Sequence, residues 1–185
     1  SSVLPNLYIV TEYAKGGDLH GKIKRYTKKR KSLAEKTIWT YLLQLCSGLE
    51  TLHKINIMHR DLKSANLLIH SNCDAKICDF GLARSCKPGH AYTLPVVTLN
   101  YRPPELLLGC RHYGPPIDVW SVGAIFAELL KREIVITGRD EGDYLQKLYA
   151  LCGTPREVDW PEARKVCKHW REACGVRGVE DKVTT

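Results

Sequence analysis

The 185 residues contain no C-x-x-C pair, no basic leader running into an apolar core, and no apolar run long enough to span a bilayer. Each absence removes a class of protein. The eight cysteines, Cys46, Cys73, Cys78, Cys86, Cys110, Cys152, Cys167 and Cys174, lack the spacing that zinc sites use, so separate reduced thiols are expected. The chain opens Ser1-Ser2-Val3-Leu4-Pro5, which predicts no secretory signal. The most apolar stretch, Ile117 to Leu130, carries Asp118 and Glu128 and falls short of the ~20 residues a membrane helix needs. The expectation is an intracellular protein of the cytoplasm or nucleus, with no membrane partner.

Nor is the composition that of a disordered chain. Hydrophobic residues make up 44% and charged residues 26%, enough apolar side chains to build one well-buried domain. The formal net charge of +8 suits an acidic partner without choosing one. Nine of the 28 lysines and arginines fall between Lys15 and Lys36, densest at Lys28-Lys29-Arg30-Lys31. That run reads either as a solvated face or as a nuclear-localisation or docking patch. It has neither interleaved stacking aromatics nor a reading motif, so no nucleic-acid partner is expected.

Along the chain, Leu7-Tyr8-Ile9-Val10 predicts a buried strand that enters a turn at Lys15-Gly16-Gly17-Asp18. Ser32-Leu33-Ala34-Glu35 has the form of a capping box, and Leu33, Trp39 or Tyr41, Leu42, Leu45, Leu49 and Leu52 follow at helical spacing, which predicts a helix from about Leu33 to His53. Leu67-Leu68-Ile69 and Ala75-Lys76-Ile77-Cys78 flank His70-Ser71-Asn72 as two short strands of a hairpin. Residues Gly81 to Pro104 have no periodicity and several prolines, so a long functional loop is predicted. Further helices are expected over Ile117 to Leu130 and Asp143 to Leu151. The fold class is therefore mainly α with short β-hairpins.

Chemistry concentrates in His59-Arg60-Asp61-Leu62-Lys63-Ser64-Ala65-Asn66 and, thirteen residues after Asn66, Asp79-Phe80-Gly81. Transfer of a γ-phosphoryl group needs positioning and charge neutralisation more than covalent help. Asp61 can accept or orient the proton of an attacking hydroxyl, and Lys63 can reach the transferring phosphate. Asn66 and Asp79 offer the hard oxygen ligands that suit Mg²⁺.

This pair of motifs resembles the eukaryotic protein kinase signature H-R-D-L-x-x-x-N with D-F-G, and Pro103-Pro104-Glu105 stands where that family has A-P-E. The resemblance covers about Leu4 to Pro161. It implies a partial kinase domain over 1–185, namely the C-terminal lobe of a two-lobed α+β fold, using ATP and Mg²⁺. Its parts are a hinge at 11–18, a catalytic loop at 59–66, an activation segment at 79–105 and later helices at 117–161. Asp118 begins the helix whose acid braces the catalytic loop. In the hinge, Glu12 and Ala14 are expected to offer backbone hydrogen bonds to adenine and Thr11 to act as a small gatekeeper. Asp18 is expected at the ribose and Leu68 beneath the base. Cys78, next to Asp79, is expected beside the nucleotide phosphates, either reactive or buried and inert.

Lys63 within the loop marks the serine/threonine type. Tyr92 to Glu105, Leu106-Leu107-Leu108-Gly109, Tyr113-Gly114-Pro115-Pro116 and Leu151-Cys152-Gly153-Thr154-Pro155 with Trp160-Pro161 are similar to the cyclin-dependent, proline-directed group. That implies protein substrates with Ser/Thr-Pro, a cyclin-like activator, and a regulatory phosphosite at Thr93, with Tyr92 as competitor, paired by Arg60 and Arg84. Asn100 departs from the group's usual tryptophan, and Lys15-Gly16-Gly17-Asp18-Leu19 with Ser64-Ala65-Asn66 resembles the NEK-like group instead. A catalytically silent pseudokinase or scaffold is the alternative class. No G-x-G-x-x-G loop or V-A-I-K-type lysine precedes the hinge, and no clear late arginine is present for Glu105. The chain is therefore expected to lack the N-terminal lobe and to be inactive by itself.

Overall fold

The computed structural model describes residues 8–72 and 74–170. Leu7, Cys73 and Cys174 lie outside the described residues. Among the described residues six helices dominate: α1 (Leu19–Lys28), α2 (Glu35–Lys54), α3 (Pro104–Leu107), α4 (Pro116–Lys131), α5 (Glu141–Cys152) and α6 (Ala163–Val166). Four very short strands, β1 (Ile57–Met58), β2 (Leu67–Ile69), β3 (Ala75–Ile77) and β4 (Arg84–Ser85), pair antiparallel as β1 with β4 and β2 with β3. The chain is thus mostly helical with small two-stranded sheets, as its pattern predicts.

Helix α2 packs one face, Ile38, Tyr41, Leu45 and Leu49, into the core, resolving the Trp39/Tyr41 alternative in favour of Tyr41. Its start differs from the predicted capping box. The helix begins at Glu35 with Ala34 at its cap and no side-chain cap bond, because the Glu35 carboxylate instead accepts from the Trp39 ring N–H one turn on, at 3.2 Å. Helix α4 opposes α2 and buries Ile117, Val122, Ile125 and Leu129. Together they enclose Met58 and Leu62 of the intervening loop.

One expectation fails locally. Tyr8, Ile9 and Val10 form no strand, and Val10 is 95% exposed. A strand needs a neighbouring strand to take its backbone hydrogen bonds, and none of the described strands lies beside it. Helix α1, by contrast, forms where only a basic face was evident. Asp18 caps it by accepting from Gly21 N at 2.7 Å, and Leu19 and Ile23, four residues apart, bury its inner side. Lys28, its last residue, and Lys29 to Lys31 after it stay exposed. No described helix is long and apolar enough to cross a membrane.

Candidate active site

Asp118, 0% exposed at the start of α4, organises the loop that carries Asp61. Its Oδ2 accepts from His59 N at 2.9 Å and lies 2.9 Å from His53 Nε2, while Oδ1 accepts from Arg60 N at 2.9 Å. Arg60 takes a left-handed backbone (φ 69°) that an L residue adopts only under such constraint. His59 then spans two segments. Its Nδ1 accepts from Asp61 N at 3.3 Å, and its Nε2 lies 3.0 Å from the Cys78 carbonyl, so a ring protonated at Nε2 satisfies both bonds. The ring also packs edge-on against Phe80 at 5.1 Å.

A second buried acid supports the next turn. Glu128, 1% exposed on α4, accepts from Ser64 Oγ at 3.0 Å and from the Tyr101 hydroxyl at 2.8 Å, with His20 3.2 Å away. Burial pushes the Tyr101 hydroxyl well above the ordinary tyrosine value, so it remains a donor. Sequence reasoning missed this network. Its only trace in the sequence is an acid inside an otherwise apolar helix.

On this support Asp61 is ringed by donors. Lys63 Nζ lies 2.7 Å from Oδ2, Thr98 donates to Oδ1 from N at 3.1 Å and from Oγ1 at 2.7 Å, and Asn66 Nδ2 donates to Oδ2 at 3.3 Å and to the Asp61 carbonyl at 2.8 Å. Burial by itself would raise the Asp61 carboxyl. The bonds from Lys63 and Thr98 outweigh it and hold the group below the usual carboxylate range.

Asn66 and Asp79 meet at one end of the β2–β3 hairpin. Leu67 pairs with Ile77, and Cys78 N donates to the Asn66 carbonyl at 3.0 Å, which sets Asp79 beside Asn66. Because the Asn66 amide nitrogen faces two Asp61 oxygens, its Oδ1 points away and is free to ligate. Asp79 is exposed in a left-handed conformation (φ 63°), and one of its oxygens accepts only a 3.3 Å bond from Gly81 N. Two hard oxygen donors without strong competing partners fit Mg²⁺, which takes one or two protein oxygens and otherwise waters and phosphates.

The expected hinge residues divide. Gly16 N donates to the Ile69 carbonyl at 2.8 Å, Ile69 N donates to Gly17 O at 2.7 Å, and Asp18 bridges to Leu68, so 16–18 runs against β2. A side chain at Gly16 would collide with the Ile69 carbonyl, which explains the glycine. Leu68, half-buried between buried Leu67 and Ile69, pairs through its backbone with Asp18. One Asp18 oxygen is committed to capping α1. Burial, then the negative charges of Asp79 and Asp18, push the Cys78 thiol above its ordinary value. Glu12 is exposed and paired with Lys76 at 2.5 Å, and Ala14, half-buried, accepts from Gly17 N at 3.2 Å.

In the segment 79–105 that the sequence marks as an expected activation segment, Arg102 donates from Nε and Nη2 to the Val97 carbonyl at 3.0 and 2.9 Å, holding Val97 at φ 65°, and pairs with Glu141. Thr93 is exposed, and its carbonyl accepts from the Tyr113 hydroxyl at 3.0 Å. Tyr92 is buried, with its hydroxyl bound to Ser85 O and Lys87 N. Arg60 is buried against the Tyr113 ring at 6.0 Å with its Nε unpartnered, whereas Arg84 is exposed and donates to Ala83 O. Glu105 borders an apolar cavity of about 730 Å³ between α4 and α5, and burial raises its carboxyl. Among the described residues no lysine or arginine forms an ion pair with it.

Comparison with known proteins matches residues 4–175 to the family described as Protein kinase domain. Cyclin-dependent kinase C-2 of Oryza sativa subsp. japonica is 50% identical over 128 residues, 68% of this chain and 25% of that protein. Mitogen-activated protein kinase homolog NTF6 of Nicotiana tabacum is 44% identical over 169 residues, 89% of this chain and 44% of that protein. Among solved structures, the yeast RNA Pol II CTD kinase CTDK-1 complex superposes with a TM-score of 0.79 at 36% identity, covering 86% of this chain and 51% of that one. The CAK complex from Chaetomium thermophilum bound to ATP-gamma-S gives 0.77 at 41%, covering 86% and 49%. The chain spans a quarter to a half of the length of these relatives.

Proposed function

This chain belongs to the protein kinase family, and on that premise we propose that it is the C-terminal-lobe half of a serine/threonine kinase moving the γ-phosphoryl of ATP to protein Ser or Thr. The observation that carries the reading is the convergence of Lys63, Thr98 and Asn66 on Asp61, with Asp79 beside Asn66. All the acids and amides that the chemistry needs are present, which speaks against a silent scaffold.

In this reading the hinge is 11–18, the catalytic loop 59–66, the activation segment 79–105 and the later helices 117–161. Asp61 orients the acceptor hydroxyl and takes its proton. Lys63 neutralises charge at the transferring phosphate, and Asn66 and Asp79 hold Mg²⁺. The Mg²⁺–nucleotide complex supplies the phosphoryl group and the divalent charge that screens its oxygens. Leu68 packs under adenine, with the backbone of Glu12 and Ala14 at its edge and Asp18 at the ribose.

The relatives named as cyclin-dependent and mitogen-activated kinases support protein substrates carrying Ser/Thr-Pro, a cyclin-like activator and an intracellular setting. The chain's own support for proline is that Arg102 saturates the Val97 carbonyl, so a substrate residue without an N–H loses nothing there. Thr93 is proposed as the activating phosphosite. It is exposed while Tyr92 is buried, and the unpartnered Arg60 Nε, with exposed Arg84, suits a phosphate. The test is labelled-ATP phosphorylation of a Ser-Pro peptide by the full-length protein after treatment with an activating kinase. Transfer is expected in wild type and much reduced in Thr93→Ala; no transfer by wild type would defeat the proposal.

A further inference from the structure

Cys110 and Cys167 sit in one buried cluster with Leu108, Ala163 and Trp170, and are only 3% and 4% exposed. One follows α3 and the other follows α6, so the cluster joins distant parts of the chain. Two features fix the approach of the segments. His169 N donates to the Leu108 carbonyl at 2.9 Å, and Gly109 takes φ 75° where a side chain would strike Lys168 and His169. Backbone 108–110 therefore runs directly against 167–169.

The two thiols share this buried cluster, and Cys110 Sγ also lies 3.3 Å from the His112 carbonyl. The bond from Cys167 brings the Cys110 thiol down to about 7, against the rise that burial would cause. A thiolate is therefore accessible near neutral pH. Cys46 and Cys152 are more exposed and Cys78 and Cys86 half-buried, but none of these four shares a buried cluster with another thiol.

We propose that Cys110 and Cys167 are a redox pair that closes to a reversible intrachain disulfide when the protein meets a hydroperoxide. The Cys110 thiolate attacks one peroxide oxygen and breaks the O–O bond, giving Cys110 sulfenic acid and a hydroxide that takes up the proton released by the thiol. Cys167 sulfur then attacks the Cys110 sulfur, its proton leaves with the displaced hydroxyl, and the S–S bond forms. Two thiols and one hydrogen peroxide become one disulfide and two waters. A dithiol reverses the change by exchange, being oxidised to its own disulfide.

The bridge would fasten α6 to the turn that follows α3. Gly109 of that turn and His169 line a cavity of about 250 Å³ together with Leu94, Pro95, Arg102 and Glu141. Oxidation therefore fixes a wall shared with the activation segment. The inference does not depend on the proposed catalytic activity.

The experiment exposes the folded full-length protein to sub-millimolar hydrogen peroxide, alkylates remaining thiols under denaturing conditions, and maps unreduced peptides by mass spectrometry. A Cys110–Cys167 linked peptide is expected, formed before other linkages and abolished by dithiothreitol. Tryptophan emission is read in parallel, because Trp170 shares the cluster and packs edge-on to Trp160 at 5.6 Å; a drop that dithiothreitol restores is expected. Cys167→Ser should lose both signals, and wild type carries the test by itself should that variant fail to fold. Recovery of both cysteines alkylated, or as sulfinic acids without linkage, while Cys46 and Cys152 oxidise, would overturn the proposal.

Discussion

Thr98 donates twice to one oxygen of Asp61, from its backbone N–H at 3.1 Å and its hydroxyl at 2.7 Å. Thr98 thereby ties the long 79–105 segment directly to the 59–66 loop, and the other Asp61 oxygen is left to Lys63 and Asn66. Thr98→Val deletes the shorter bond while keeping the side-chain shape. A hydrogen bond to a charged group contributes about 1.5–3 kcal/mol, so phosphoryl transfer should fall roughly tenfold or more. The Asp61 carboxyl, followed by carbon-detected NMR, should titrate below the ordinary aspartate range in wild type and higher in the variant. With a depressed folded value, the stability that these bonds contribute is present above the unfolded value and lost as pH falls through the folded one. An unmoved midpoint in Thr98→Val would count against this arrangement.

Asp118 is expected to be a structural requirement before it is a catalytic one. Asp118→Ala leaves the buried N–H groups of His59 and Arg60 without their acceptor, at a cost of about 1–3 kcal/mol for each. Asp118→Asn keeps one carbonyl oxygen and should fall between. Urea unfolding gives the ranking directly. Equal midpoints for all three proteins would show that the loop is braced by something else.

Cys78 should react slowly with iodoacetamide at pH 7, although it lies next to Asp79. Burial, then the charges of Asp79 and Asp18, raise its thiol above the ordinary value. Exposed Cys46 and Cys152 should be modified before Cys78, and the Cys78 rate should still be climbing above pH 9. Preferential labelling of Cys78 at neutral pH would contradict the placement of the two acids.

How far the sequence speaks for itself differs by element. The H-R-D and D-F-G residues stand out as a candidate site because their chemistry is local and their spacing fixed, and the β2–β3 hairpin sets Asp79 beside Asn66. The β2–β3 hairpin, α4 and α5 were visible as apolar patterns. Helix α1 was hidden because only Leu19 and Ile23 face inward among many cations. The Glu128–Ser64–Tyr101 network joins residues distant in sequence, and no local pattern announces it. Tyr8 to Val10 have the composition of a strand, but a strand is made by its neighbour, and composition does not supply one.

Arg102 should govern the preference for proline after the acceptor. Arg102→Ala frees the Val97 carbonyl and loses the Glu141 pair, so it should lower the ratio of kcat/KM for a Ser-Pro peptide over its Ser-Ala counterpart by about tenfold, the scale of one hydrogen bond. An unchanged ratio would remove Arg102 from specificity while leaving phosphoryl transfer untouched.

The most direct measurement of the central claim is transfer of labelled γ-phosphate from ATP to a Ser-Pro peptide by the activated full-length protein, beside Asp61→Asn and Asp79→Asn. Wild type should phosphorylate the peptide, and both variants should lose transfer by several orders of magnitude, Asp79→Asn with weakened Mg²⁺–nucleotide binding as well and Asp61→Asn without it. Wild-type rates in either variant would contradict the assignment of these two carboxylates, and with it the account of the site.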